Sequence, residues 1–294
     1  MNQQAVDAQS TPWQPRSVAA TVNYVQRVGE PLYMYSAMDP PPGKPRTNHV
    51  SVPHEVVIEN LRDLPGGTSI DVQGFELVRF NPGVQDIYDS AQRVRQFDPA
   101  VADLIKRHTG AVEARVCDAF IRGEEAQRRA PGTITAPAGQ VHVDYTRESG
   151  PEFFRNVLGP DAEKYRGHRF AVINVWCPIT GPLKDHPLAL CDARTVDPDD
   201  LMVSKAYSSV GKDGLRKPGG EPSVGEVFYT AFNPKHRWYY APDMCTDEAL
   251  LLKNYDSATD GTARFSPHCA FKDPTAPDNV LPRASIEVRV LTVW

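Results

Sequence analysis

From Val112 onward the chain is written in short apolar runs rich in β-branched and aromatic residues, each closed by Gly, Pro, Asn or Asp. Nine of these runs have strand character: EARVCDAFIR, QVHVDYT, RFAVINVWCPI, PLALCDART, EVFYTAFN, HRWYYAP, EALLLKNYDS, FSPHCAFKD and SIEVRVLTVW. Only short helical pieces fit between them. The pattern therefore predicts a mainly β fold with peripheral helices, a double-stranded β-helix of jelly-roll or cupin-like type rather than a βαβ arrangement.

Ahead of this region, Ile87, Ala91, Val94, Phe97, Val101, Leu104 and Ile105 recur at three-to-four spacing, interrupted by Asp98-Pro99. Two short helices packed outside a sheet fit that period. The proline-rich stretch Ala37 to Thr47 suits neither a helix nor an interior strand and is expected to be an exposed or draped connector. Residues 1–16 are polar and proline-bearing, which predicts a loose arm. No repeat or internal boundary breaks the remainder, so residues 1–294 read as a single domain with its jelly-roll core over about residues 112–294.

Composition narrows the function. At 294 residues, with 27 prolines against 20 glycines, the chain has room for a large core and many elements joined by rigid turns. A net charge of -5 and the lack of a Lys/Arg stripe give no footprint for nucleic acid, leaving a small molecule as the expected partner. The N-terminus has no signal-peptide pattern, and no apolar run approaches the roughly 20 residues of a membrane span, so a soluble, cytoplasmic protein is expected. Homo-oligomerisation is compatible with the chain. Cys117, Cys177, Cys191, Cys245 and Cys269 are scattered without a CxxC, which suits reduced thiols rather than a disulfide frame or zinc knuckle.

The candidate chemistry lies in GQVHVDYT and RFSPHCAFKD. Residues two apart in a strand share a face, so His142 and Asp144 can reach one ion together. His268 follows 124 positions later (268 − 144), a gap that a jelly roll closes easily. Two imidazoles and a carboxylate can occupy one face of an octahedral iron(II), leaving adjacent positions for O2 and a co-substrate. The other histidines, at turns, strand edges and a helix end, read as solvated or hydrogen-bonded.

In the last strand Arg283 and Ser285 share one face, so a guanidinium fork and a hydroxyl can hold a carboxylate inside the barrel, as the distal end of 2-oxoglutarate would require. Arg289 has the same parity and is the reserve candidate. Asn174 interrupts an apolar strand and needs a buried partner, with either co-substrate or backbone as the candidate. Tyr145, Thr146 and Trp176 are candidate pocket walls.

The stretches VHVDYT, INVWCPITGPLKDHPLALCDART, RWYYAPDMCTDEALLLKNYDS, SPHCAFKDPTAP and PRASIEVRVL, together with GFELVRF nearer the N-terminus, resemble a fungal family of hydroxylase/desaturases. That family includes an aspergillic-acid hydroxylase, a gibberellin desaturase and a cephalosporin methoxylase subunit, and the likeness runs over roughly residues 20–294. The resemblance implies an iron(II) enzyme on a double-stranded β-helix that consumes O2 and 2-oxoglutarate and oxidises a small secondary metabolite by hydroxylation or desaturation. His142, Asp144 and His268 match its motif, while the fifteen positions from His268 to Arg283 (283 − 268) are longer than in related oxygenases. Two rivals stay open at this level: an iron oxygenase that does not use 2-oxoglutarate, and a jelly-roll binding protein without chemistry.

Overall fold

The computed structural model describes residues 17–36, 38–129, 136–208 and 223–294. The arm expected over residues 1–16 lies outside them. In chain order the first strands are β1 (Ser17–Val25), β2 (Leu32–Ser36), β3 (Ser51–Asn60), β4 (Phe75–Arg79) and β5 (Glu113–Arg122). Next come β6 (His142–Val143), β7 (Phe170–Pro178), β8 (Leu188–Cys191), β9 (Leu201–Ser208) and β10 (Ser223–Thr230). The last four are β11 (Trp238–Tyr240), β12 (Glu248–Asp256), β13 (His268–Ala270) and β14 (Ser285–Val293). They form a nine-stranded sheet, β1-β3-β11-β8-β13-β6-β10-β9-β2, and a five-stranded sheet, β4-β12-β7-β14-β5.

Strand alternation decides how the layers meet. In β7, Ala171, Ile173, Val175 and Cys177 pack outward against Val101, Leu104 and Ile105. Val172 and Trp176 point the other way, into apolar clusters shared with the nine-stranded sheet. The two sheets are thus the faces of one sandwich, and the smaller one is backed by helix. Burying each large apolar side chain there contributes about 1.5–3 kcal/mol.

All nine expected strands are present, but the sheets begin well before residue 112. Strands β1 and β3 pair antiparallel at one end of the large sheet, β2 caps the other beside β9, and β4 edges the small sheet against β12. Burial alternates in both β1 and β3, but in β3 polar and apolar residues share the exposed face, so the sequence does not display that alternation. Strand β9, with the pattern LMVSKAYS, was likewise not among the nine.

The helical region also differs from expectation. Helices α1 (Ser90–Gln92) and α2 (Asp98–Thr109) are joined by a π-type turn over Arg93–Phe97 instead of being separated at Asp98-Pro99. The Asp98 N–H reaches back to the Arg93 carbonyl, one residue further than in an α-helix, and so accommodates the proline that follows. Val94, expected on the apolar stripe, is 60% exposed because the π-turn rotates it off the buried face. Two further helices, α3 (Glu124–Arg129) and α4 (Ser149–Leu158), follow β5 and β6. Most of the proline-rich connector is exposed, and it folds back on β2 through the Tyr35 N–H to Arg46 carbonyl bond of 2.8 Å.

Two irregularities in the small sheet aim side chains at the interior. Register slips in β12 between Lys253 and Tyr255, leaving Asn254 as the extra residue. It slips again in β5, opposite Arg289 and Val290, leaving Cys117 extra. Bulges of this kind re-aim side chains. The β12 bulge is held from below by a buried ion cluster: Lys253 Nζ pairs with Asp71 and, at 2.7 Å, with Asp256, while Arg169 bridges the same two carboxylates.

Because Lys253 is fully buried, removing its ammonium takes away one of the two cations that hold Asp256 and leaves Arg169 alone. Lys253→Met is expected to lower unfolding stability by about 1.5–3 kcal/mol in urea titration. A loss below about 1 kcal/mol would show that the cluster does not hold this strand.

Candidate metal centre

The site begins with strand pairing. Strands β6 and β13 are antiparallel neighbours in the large sheet, and His268 lies directly opposite His142. Side chains of directly opposed residues share a face, and the two imidazole centroids are 4.5 Å apart. Asp144 follows β6 on the same face, its Oδ1 3.7 Å from His142 Nε2. One donor atom from each of the three residues lies within 4.8 Å of the others, the only such His/Cys/Asp/Glu group among the described residues.

Neighbouring groups choose which atoms face the ion. His142 Nδ1 donates to the Gln140 carbonyl at 2.7 Å and His268 Nδ1 donates to the Ser266 carbonyl at 3.0 Å. Each bond fixes the tautomer, leaving both Nε2 lone pairs free. Burial, reinforced by His268, pushes the His142 imidazole down to about 4. Burial also lowers His268, against the opposing pull of Asp144. Both rings are therefore neutral near pH 7, as ligands must be.

Asp144 is held at three points. Asn174 Nδ2 donates to its Oδ2 at 2.9 Å, Arg289 Nη2 and Nε donate to the same oxygen at 3.2 and 3.3 Å, and the Asp144 N–H donates to Asn254 Oδ1 at 3.0 Å. Burial alone would raise this carboxyl, but the Arg289 charge, the two imidazoles and the Asn174 amide outweigh it and hold it well below the usual carboxylate range. With Oδ2 committed, Oδ1 is left for a metal. Two neutral imidazoles and one ionised carboxylate form the nitrogen-and-oxygen set that suits iron(II) with open positions, so these residues fit the ion. Asn174 Oδ1, buried and without a partner, leaves a spare acceptor beside them.

Ser285, the first residue of β14, and Arg283 just ahead of it are both buried at this end of the sheet. Arg283 Nε donates to Ser285 Oγ at 3.2 Å, its Nη1 donates to the His186 carbonyl at 2.8 Å, and its guanidinium lies 4.9 Å from the Trp176 ring centroid. Burial, with Arg122 nearby, pulls the guanidinium down to about 10. Among the described residues no carboxylate pairs with it. A buried cation so placed is stabilised by pairing with an anion.

Several expected roles change. Arg289, the reserve for a co-substrate carboxylate, is occupied by Asp144 and, at 3.8 Å, by Asp118. Asn174 is spent on Asp144 through its amide nitrogen rather than on the backbone. Thr146 is not a pocket wall: its hydroxyl accepts from the Glu148 and Ser149 N–H groups and begins α4. Tyr145 packs against Phe153 at 4.9 Å between ring centroids, with one side towards Arg289. Trp176 lies under Arg283. The other described histidines stand apart, as His49 bonded to Ser204 at 2.8 Å and His236 to Asp200 at 3.2 Å illustrate. Asn254 and Asp118 were missed because each reaches the site through a bulge, which leaves no mark in residue spacing.

Known proteins carry the same architecture. A family model described as oxidoreductase/YMDC permease-like domain matches residues 22–293. The hydroxylase/desaturase efuI of Hormonema carpetanum is 35% identical over 250 residues, covering 81% of this chain and 83% of that protein. The Fe(II)/2-oxoglutarate-dependent dioxygenase nvfI of Aspergillus novofumigatus is 33% identical over 267 residues, covering 88% and 90%. A solved structure of the iron and alpha-ketoglutarate-dependent endoperoxidase NvfI superposes with a TM-score of 0.82 at 30% identity, covering 96% of this chain and 99% of that one. The expected jelly roll is the fold of this protein, and the chain belongs to the oxidoreductase family of hydroxylase/desaturases that these relatives represent.

Proposed function

We propose that this protein is a non-haem iron(II), 2-oxoglutarate-dependent oxygenase that hydroxylates or desaturates a small-molecule secondary metabolite. The observation that carries the reading is the pairing, on one interior face, of a His142/Asp144/His268 donor set with a buried Arg283 that has no carboxylate partner among the described residues. When bound, iron(II) with O2 and 2-oxoglutarate supplies the oxidising power to remove hydrogen from an unactivated C–H bond.

The chain's own part is placement and shielding. His142 and His268 offer Nε2 with their tautomers locked by the Gln140 and Ser266 carbonyls. Asn174 and Arg289 turn Asp144 so that Oδ1 faces the ion. Arg283 and Ser285 hold the far carboxylate of 2-oxoglutarate, with the Trp176 ring against the guanidinium. Apolar side chains from both sheets surround the site and exclude water.

Residues 1–294 act as one oxygenase domain in this reading. No helix among the described residues is long and apolar enough to cross a membrane. Five free cysteines support a reducing, cytoplasmic setting.

Arg283→Ala is expected to raise the apparent KM for 2-oxoglutarate by about 10- to 100-fold, the ~1.5–3 kcal/mol of charge-assisted hydrogen bonds, with iron affinity unchanged. Steady-state kinetics with varied 2-oxoglutarate tests this, and an unchanged KM would favour an oxygenase that does not use that co-substrate. For Asn174→Ala, competition with a chelator should report an iron(II) affinity about 10–100-fold weaker. Wild-type affinity in that variant would remove Asn174 from the support of Asp144.

A further inference from the structure

The bulge at Cys117 changes what β5 presents to the interior. In an uninterrupted strand Ala114, Val116, Asp118, Phe120 and Arg122 would share one face. Here Ala114 and Val116 pack towards α2, in company with Ala119 and Ile121. Cys117 belongs to the cluster between the sheets, Asp118 lies opposite Arg289, and Phe120 lies opposite Glu287. The extra residue has flipped the parity, turning the last third of β5 towards the metal centre.

Phe120 gains nothing structural from that turn. It faces inward yet is 41% exposed, so its ring forms an open wall rather than core. The Arg289 guanidinium, which holds Asp144, lies 4.6 Å from the Phe120 ring centroid. An apolar surface is thereby placed one side chain away from a metal ligand.

Glu287 faces the same space. It sits on β14 between Ser285 and Arg289, opposite Phe120 on one side and Trp176 on the other. Burial and the Asp144 charge push its carboxyl up, against the opposing charges of Arg289, Arg122 and His142. These are charge interactions only: no described residue donates it a hydrogen bond. A half-buried carboxyl without a donor from the protein is open to a hydrogen bond from a ligand.

We propose that Phe120 and Glu287 form the recognition site for the organic substrate, and that this substrate is an apolar, ring-bearing molecule carrying a hydroxyl or N–H donor. The proposal rests on the oxygenase reading above and adds the substrate class to it. The ring lies on Phe120 and the donor meets the Glu287 carboxyl, on the β5 side of the path that 2-oxoglutarate takes from Arg283 to the donor set.

The test is fluorine NMR of the full-length protein made with 4-fluorophenylalanine, the Phe120 resonance being assigned by its loss in Phe120→Leu. The probes are matched pairs, phenol against anisole and indole against N-methylindole. Phenol and indole are expected to shift the Phe120 resonance and to bind about tenfold more tightly than their capped partners. Glu287→Leu should erase that difference and Glu287→Gln should keep part of it, while the other fluorine resonances report that each variant is folded. The proposal is overturned if saturating probe leaves the Phe120 resonance unmoved, if the paired probes bind equally to the wild type, or if the difference survives in Glu287→Leu. Neither iron nor 2-oxoglutarate takes part in these titrations. Failure here therefore leaves the oxygenase reading standing, and failure of co-substrate binding leaves this result interpretable.

Discussion

The buried carboxylate of Asp144 is the constraint on which the site depends. An ionised carboxylate away from water is tolerated only when its oxygens are shared. Arg289 and Asn174 share its Oδ2, Asn254 Oδ1 accepts from its backbone N–H, and the three come from different strands of the small sheet. The two imidazoles come from the large sheet. The metal centre is therefore a joint between the layers, and every element that fixes the spacing of the sheets also fixes the donor set.

The interior of the small sheet is unusually charged for a barrel wall. Glu287 and Arg289 follow one another along one face of β14, Arg283 lies just ahead of it, and Asp118 and Arg122 stand beside them on β5. The outward faces of the same strands are apolar and pack on α2. Charge has been confined to the side where a metal, an anionic co-substrate and a polar substrate group meet. Within that array the division of labour follows from partners: Arg289 is committed to carboxylates of the protein, whereas Arg283 is not.

Much of this was legible in the chain. Alternation and turn residues mark the nine strands after Val112, because those strands are buried on at least one face and bounded by clear punctuation. The ligand triplet is legible because a strand places His142 and Asp144 on one side whatever the rest of the fold does. What spacing could not carry was lost: the antiparallel pair of β1 and β3, where apolar residues on the exposed face of β3 blur its period, and the bulges at Asn254 and Cys117, which reverse parity for every residue after them. Arg289 was read as a spare anion binder since parity alone cannot separate it from Arg283; only the neighbour across the cavity does. Thr146 likewise follows the motif in sequence but serves the start of α4.

The central claim is that His142, Asp144 and His268 would hold an iron(II) at which 2-oxoglutarate binds. Anaerobic titration of the iron(II)-loaded protein with 2-oxoglutarate, followed by visible absorption, tests it most directly. A weak, saturable metal-to-ligand charge-transfer band that is absent in His268→Ala is the result this account predicts. Tight iron(II) binding with no such band, or a band of full strength in His268→Ala, would contradict it.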